Sequence, residues 1–143
     1  AGLVIFNLTA MEDVVVREGR VAGLVINWSA IRTLQWHVDP LSIRSRFVLD
    51  ATGHPAEVAT VLARKMDVRL DTATGGVVGE KSLAADLGEQ QTVANTREVY
   101  PGLVVSGMAA NAVQGGHRMG PVFGGMLLSG RKAAAILQEG LLP

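Results

Sequence analysis

Cysteine is absent from the 143 residues, which excludes disulfides, thiolate metal ligands and a cysteine nucleophile or sulfur donor within the chain. An excess of charge is missing too. Lysine plus arginine and aspartate plus glutamate balance at 13 each, so no overall field attracts a polyanion and nucleic acid is not an expected partner. No apolar run reaches the roughly 18 residues needed to cross a bilayer. The opening AGLVIFNLT lacks the basic, apolar and cleavage regions of a signal peptide. A soluble, cytoplasmic protein with no membrane partner is the expectation. What is plentiful is apolar sequence, 48% against 18% charged residues, enough for one globular domain over residues 1–143 with a genuine core. The 17 glycines show no solenoid or collagen period and crowd toward the end of the chain. Because the chain opens on an apolar run and not on methionine, a fragment or processed chain is expected, with an amino-terminal piece elsewhere.

Leu3 to Asn7 reads as a short strand entering a loop. Val14–Val16 and Val21–Ile26 flank Arg17-Glu18-Gly19-Arg20, the signature of a β-hairpin. From Asn27 to Arg44 periodicity vanishes, so a long loop is expected, and long ordered loops are often functional. Phe47–Leu49, the loop Asp50-Ala51-Thr52-Gly53-His54-Pro55, and apolar residues at helical spacing from Val58 to Met66 read as strand, tight loop and helix. In open α/β sheets ligands gather where strands end, which places Asp50–His54 at a candidate site. Residues 68–98 read as a polar excursion with a helix after Lys81 and little function. Leu103–Ser106 predicts a last buried strand, followed by a loop through Gly115-Gly116-His117-Arg118-Met119-Gly120. Pro121 is then placed in the first turn of a helix running through Leu137 to Gly140. Gly124 and Gly125 inside that helix cost about 1 kcal/mol each relative to alanine, so they predict close approach of a neighbouring backbone or of a ligand.

A dinucleotide site ordinarily shows a strand, GxGxxG and a helix, because bare backbone must approach the pyrophosphate. No convincing copy occurs here. The hairpin insert, the strand ending in Asp-Ala-Thr-Gly and the last strand entering a glycine-rich loop instead fit the later part of such a fold. The expected fold class is α/β: the C-terminal part of an FAD/NAD(P)-binding, two-dinucleotide-type, Rossmann-like fold with a β-hairpin or meander insert.

Several segments carry a family resemblance: Ile5-Phe6-Asn7-Leu8-Thr9, Glu12-Asp13-Val14, Gly19-Arg20-Val21-Ala22-Gly23, Val25-Ile26-Asn27-Trp28, His37-Val38-Asp39-Pro40-Leu41, Asp50-Ala51-Thr52-Gly53-His54, Tyr100-Pro101-Gly102-Leu103 and the stretch 115–130. Together they resemble the thiamine thiazole synthase family over nearly the whole chain, weakening only at residues 68–79. The resemblance implies an enzyme that cleaves NAD, condenses its ADP-ribose part with glycine, and adds sulfur to make an adenylated thiazole carboxylate. One branch of the family sacrifices its own cysteine, at the position His37 occupies here; another uses free sulfide with ferrous iron. With no cysteine available, resemblance and composition both imply the sulfide-dependent branch, with Fe(II) as cofactor and NAD as substrate.

The same resemblance implies that Asp39 and His54 bind the metal, with the aspartate reaching the iron of a neighbouring subunit in a homo-oligomer. Imidazole and carboxylate suit Fe(II), and few protein ligands leave positions open for sulfide or substrate. Spacing alone favours turn and cap residues over metal ligands, Asp39 before Pro40 and His54 ahead of the helix, and it is the resemblance that points to metal. Cofactor contacts are implied for Met11, His37, Val38, Asp39 and Met108. His37 reads as a cofactor contact, a general base or a loop residue without a role. Arg118 is the candidate for gripping glycine's carboxylate through paired hydrogen bonds, with a surface ion pair as its alternative. Trp28 and Trp36 read as core or interface residues. Two other readings remain open: a flavin- or NAD-dependent oxidoreductase of the same fold, and a noncatalytic ADP-ribose-binding module.

Overall fold

The computed structural model describes residues 2–142. Its first unit is an antiparallel meander of β1 (Thr9–Arg17), β2 (Arg20–Trp28) and β3 (Leu41–Arg44) in the order β1-β2-β3. The hairpin predicted from sequence forms as a two-residue turn: Arg17 pairs with Arg20, leaving Glu18 and Gly19 at φ 51° and 71°. Two successive positive φ values match the right-handed twist of the flanking strands, and glycine adopts the second without cost.

The second unit is a sheet in the order β4-β6-β5, from β4 (Val48–Asp50), β5 (Arg97–Tyr100) and β6 (Leu103–Val105). β4 and β6 run parallel, while β5 and β6 form an antiparallel pair. Helices α2 (Glu57–Lys65), α3 (Ala85–Asn95), α4 (Met108–Gln114) and α5 (Gly124–Leu141) accompany this sheet. The architecture is mixed α/β with two small sheets. Val21, Leu62, Leu103, Val105 and Val113 are completely buried in one core that both units share. At the junction Val21 N donates to Pro101 O at 2.8 Å. Gly102, at φ +81°, lies where a Cβ would collide with the Val21 carbonyl. Only glycine lets the meander approach the second sheet this closely.

The structure corrects several expectations. Leu3–Asn7 forms no strand. It has no ladder partner, and Leu3, Val4, Ile5 and Phe6 are left largely exposed. The supposed long loop at 27–44 contains the end of β2, the helix α1 (Ser29–Leu34) and β3. At six residues α1 is too short to show helical periodicity. It closes on Gln35 at φ 53°, with Gln35 N bonded to Arg32 O and Trp36 N to Ile31 O. Residues 108–114, expected as loop, form α4, and the unpredicted β5 pairs with β6. Pro121 precedes α5 by three positions and lies outside its first turn, and Gly140 lies inside the helix and does not end it. The Phe47 ring packs where a Gly140 side chain would stand, 2.6 Å from the hypothetical Cβ. Trp28 and Trp36, 49% and 64% exposed, are not core residues. Of the Gly124-Gly125 pair, Gly125 meets the Glu89 backbone on α3, the close approach to neighbouring backbone that was expected, while Gly124 meets the Glu89 carboxylate.

Candidate functional site

The loop after β4 is shaped by Asp50, which is fully buried. Its Oδ1 accepts from Thr52 N at 3.1 Å and Thr52 Oγ1 at 2.7 Å, and its Oδ2 accepts from Ala59 N at 3.0 Å. Thr52 Oγ1 in turn accepts from Glu57 N at 2.7 Å. Two N–H groups of the first turn of α2, those of Glu57 and Ala59, are therefore satisfied from the strand end and loop behind it, in place of an adjacent capping residue. Gly53 turns at φ +79° and Ala56 at φ 42°, so the chain doubles back and leaves His54 half exposed at the tip. His54 makes no capping bond to α2.

Facing it is the glycine-rich loop that follows α4. Gly115, at φ +78°, ends that helix. The wholly buried Asn111 ties the following loop down, its Nδ2 donating to Gly88 O at 3.0 Å, Thr92 Oγ1 at 2.8 Å and His117 O at 2.9 Å. Gly116 has no space for a side chain, since a Cβ would stand 2.6 Å from Asn111 Oδ1. Arg118 emerges from this loop about half exposed. His54, Met108 and Arg118 line one cleft of about 430 Å³ together with Ser82, Leu83 and Met126. Three expected site residues, contributed by three separate segments, thus converge.

Between them stands Glu80. Its Oε1 accepts from His54 Nδ1 at 2.6 Å and its Oε2 lies 3.4 Å from Arg118 Nε. The segment 68–98 was expected to contribute little, and no local pattern marks Glu80 in the sequence. Its neighbours place it: Gly79 N donates to Ala112 O at 2.9 Å and Lys81 N to Gly116 O at 2.8 Å. Arg118 thus makes an ion pair, its alternative reading, with Nε as the nitrogen toward Glu80.

His37, Val38 and Asp39 lie elsewhere. They line a second cleft of about 630 Å³ with Glu12, Asn27 and Arg32, and Asn27 Nδ2 donates to Val38 O at 3.2 Å. Met11 lines a neighbouring depression that shares Glu12 and Arg32 with it. The five residues expected at the cofactor therefore divide, four around the meander and Met108 beside His54. Asp39 and His54 line different clefts, and among the described residues no three His, Cys, Asp or Glu side chains form a metal-binding group. The donor chemistry still fits Fe(II). With Nδ1 turned to Glu80, the neutral imidazole of His54 would offer Nε2 to a metal, and Asp39 is exposed.

His117, given no role from sequence, contacts Gln91 Oε1 through its backbone N at 2.8 Å and its ring Nδ1 at 3.1 Å. The Asp13 carboxyl is held below its ordinary range by its hydrogen bond to the Lys65 ammonium, 2.6 Å away. That pair joins β1 to α2 outside both clefts. No helix among the described residues is long and apolar enough to cross a membrane.

A family model described as the Thi4 family matches residues 1–123. The chain is 53% identical to a thiamine thiazole synthase of Methanothermobacter thermautotrophicus over 141 residues, covering 99% of this chain and 55% of that protein. It is 55% identical to a thiamine thiazole synthase of Desulfosudis oleivorans over the same shares. The fold superposes on the crystal structure of Thermovibrio ammonificans THI4 with a TM-score of 0.91 at 53% identity, covering 96% of this chain and 55% of that one. The chain spans about half the length of the curated relatives it matches. With a family model over most of its length and this likeness in both sequence and fold, the chain belongs to the Thi4 family.

Proposed function

We propose that the protein is a sulfide-dependent thiamine thiazole synthase, making an adenylated thiazole carboxylate from NAD, glycine and sulfide with Fe(II). The observation that carries this reading is the convergence of His54, Met108 and Arg118 on one cleft, with the glycine-rich loop held around them. Arg118 offers its terminal guanidinium nitrogens to glycine's carboxylate, a planar group that matches paired donors. His54 supplies Nε2 to the metal. Because Asp39 lines a different cleft, the carboxylate ligand is Asp39 of a second copy of the chain. Ferrous iron held there would act as a Lewis acid with positions open to sulfide. His37, Val38 and Asp39, with Met11 nearby and Met108 in the other cleft, line the path of the dinucleotide. The absence of cysteine favours external sulfide as the sulfur source.

This reading includes the finer fold assignment, a Rossmann-like fold of the FAD/NAD(P)-binding type. The parallel β4–β6 pair, with the candidate loop leaving the end of β4, supports it. It includes a cytoplasmic homo-oligomer whose metal site is shared between subunits. The test is to incubate the protein anaerobically with NAD, glycine, sulfide and Fe(II) and follow nicotinamide release and adenylated thiazole by mass spectrometry. Product that requires all four components supports the reading. Turnover of NAD without incorporation of glycine refutes it.

A further inference from the structure

We propose that Glu80 is a positioning residue of the metal site: it fixes His54 in the Nδ1–H tautomer, so that Nε2 is the atom presented to the metal, and holds Arg118 in the same cleft. This rests on the reading of His54 as a ligand and adds the residue that orients it.

A carboxylate only accepts, so the 2.6 Å contact between Glu80 Oε1 and His54 Nδ1 places the proton on Nδ1. An imidazole protonated on one nitrogen offers its lone pair on the other, and a carboxylate at the back of a histidine fixes both tautomer and ring orientation. His54 needs such a partner. It sits half exposed at the tip of a loop, with no bond to α2 and a φ +79° glycine before it. Without Glu80 its ring would be free to turn.

Glu80 itself is well placed to hold it. Its side chain is only 12% exposed. The residues on either side are pinned by backbone hydrogen bonds, Gly79 N to Ala112 O and Lys81 N to Gly116 O. A parallel bridge joins Lys81 to His117, and Arg118 N donates back to Lys81 O at 3.3 Å. The segment carrying Glu80 and the loop carrying Arg118 are therefore one hydrogen-bonded unit. One carboxylate serves two residues of the cleft, because Oε1 faces His54 and Oε2 faces Arg118 Nε. The Arg118 contact is made at Nε, on the side edge of the guanidinium.

The test combines a tautomer measurement on metal-free protein with a metal titration. Histidine 15N shifts distinguish the two neutral tautomers, and the three histidines are assigned by the signal lost in His54→Ala. Wild type is expected to show His54 protonated on Nδ1. Glu80→Ala should release it to a mixture rich in the Nε2–H form and weaken Co(II) or Fe(II) binding about 10–100-fold. Glu80→Gln, whose amide oxygen still accepts, should lie between the two and serves where the alanine variant does not fold. If His54→Ala abolishes metal binding while both Glu80 variants leave affinity and tautomer as in wild type, the role given to Glu80 is wrong. If His54→Ala leaves binding intact, the ligand assignment beneath it is wrong instead.

Discussion

Gly88 links the helix packing to the candidate site, and a single methyl group tests that link. It lies buried within α3, where alanine would ordinarily stabilise a helix by about 1 kcal/mol over glycine. Here a Cβ would stand 2.8 Å from His117 O and 2.9 Å from both the carbonyl carbon and oxygen of Arg118. These are backbone atoms of a loop held from both sides, by Ala84 N donating to Arg118 O at 3.0 Å and Asn111 Nδ2 to His117 O at 2.9 Å. They cannot yield as the end of a flexible side chain can. Overpacking of this kind costs about 1–3 kcal/mol, which outweighs the propensity gain and leaves Gly88→Ala destabilised by about 1 kcal/mol. Gly130 is the internal control: it is exposed on α5, and a Cβ added there would have nothing within 4 Å, so Gly130→Ala should stabilise by about 0.5–1 kcal/mol. Urea denaturation reads both as midpoint shifts of opposite sign at unchanged slope. Amide exchange at Ala84 should also quicken in Gly88→Ala as its bond to Arg118 O is stretched. If Gly88→Ala stabilises the protein as Gly130→Ala does, the loop does not pack against α3 as described.

Asp50→Ala should destabilise by about 2–4 kcal/mol in the same denaturation assay, because it removes two acceptor oxygens and leaves the buried Ala59 N–H unpaired. For Asp13 the sign follows from its lowered proton affinity in the folded state: its contribution is complete above the ordinary aspartate range, about pH 4, and disappears as pH falls through the lower folded value. Asp13→Asn should therefore be less stable than wild type at neutral pH, by no more than about 0.5 kcal/mol for so exposed a pair, and the two stability curves should converge in acid. Asp39→Ala and His54→Ala should each be inactive alone. Co-expressed, they should recover about a quarter of wild-type turnover, since random two-fold pairing gives one intact shared site in half of the pairs. No recovery in demonstrably mixed oligomers would count against a site built across subunits.

Much of this was legible in the sequence where the signal is local. The Glu18-Gly19 turn, the strand and helix around Asp-Ala-Thr-Gly-His, and the placement of Arg118 in a glycine-rich loop all depend on neighbours a few residues away. Short elements were legible only as apolar runs: β4 and β6 stand out at three residues each, whereas six-residue α1 and four-residue β3 and β5, which mix polar with apolar residues, do not. Leu3–Asn7 shows that an apolar run makes a strand only where it finds a ladder. The site divides the same way. His54 and Arg118 are in segments with recognisable character, whereas Glu80 reaches them through backbone bonds to Ala112 and Gly116, more than thirty positions along the chain. Asn111 and Asp50 likewise act through partners that only the tertiary fold supplies.

The fate of sulfur tests the proposed chemistry most directly. The protein is incubated with Fe(II), NAD, glycine and isotopically heavy sulfide, and the adenylated product is weighed. The account predicts a thiazole carrying the heavy sulfur, formed repeatedly per protein molecule and lost in His54→Ala. No heavy-sulfur product from wild-type protein, or the same yield from His54→Ala, would contradict it.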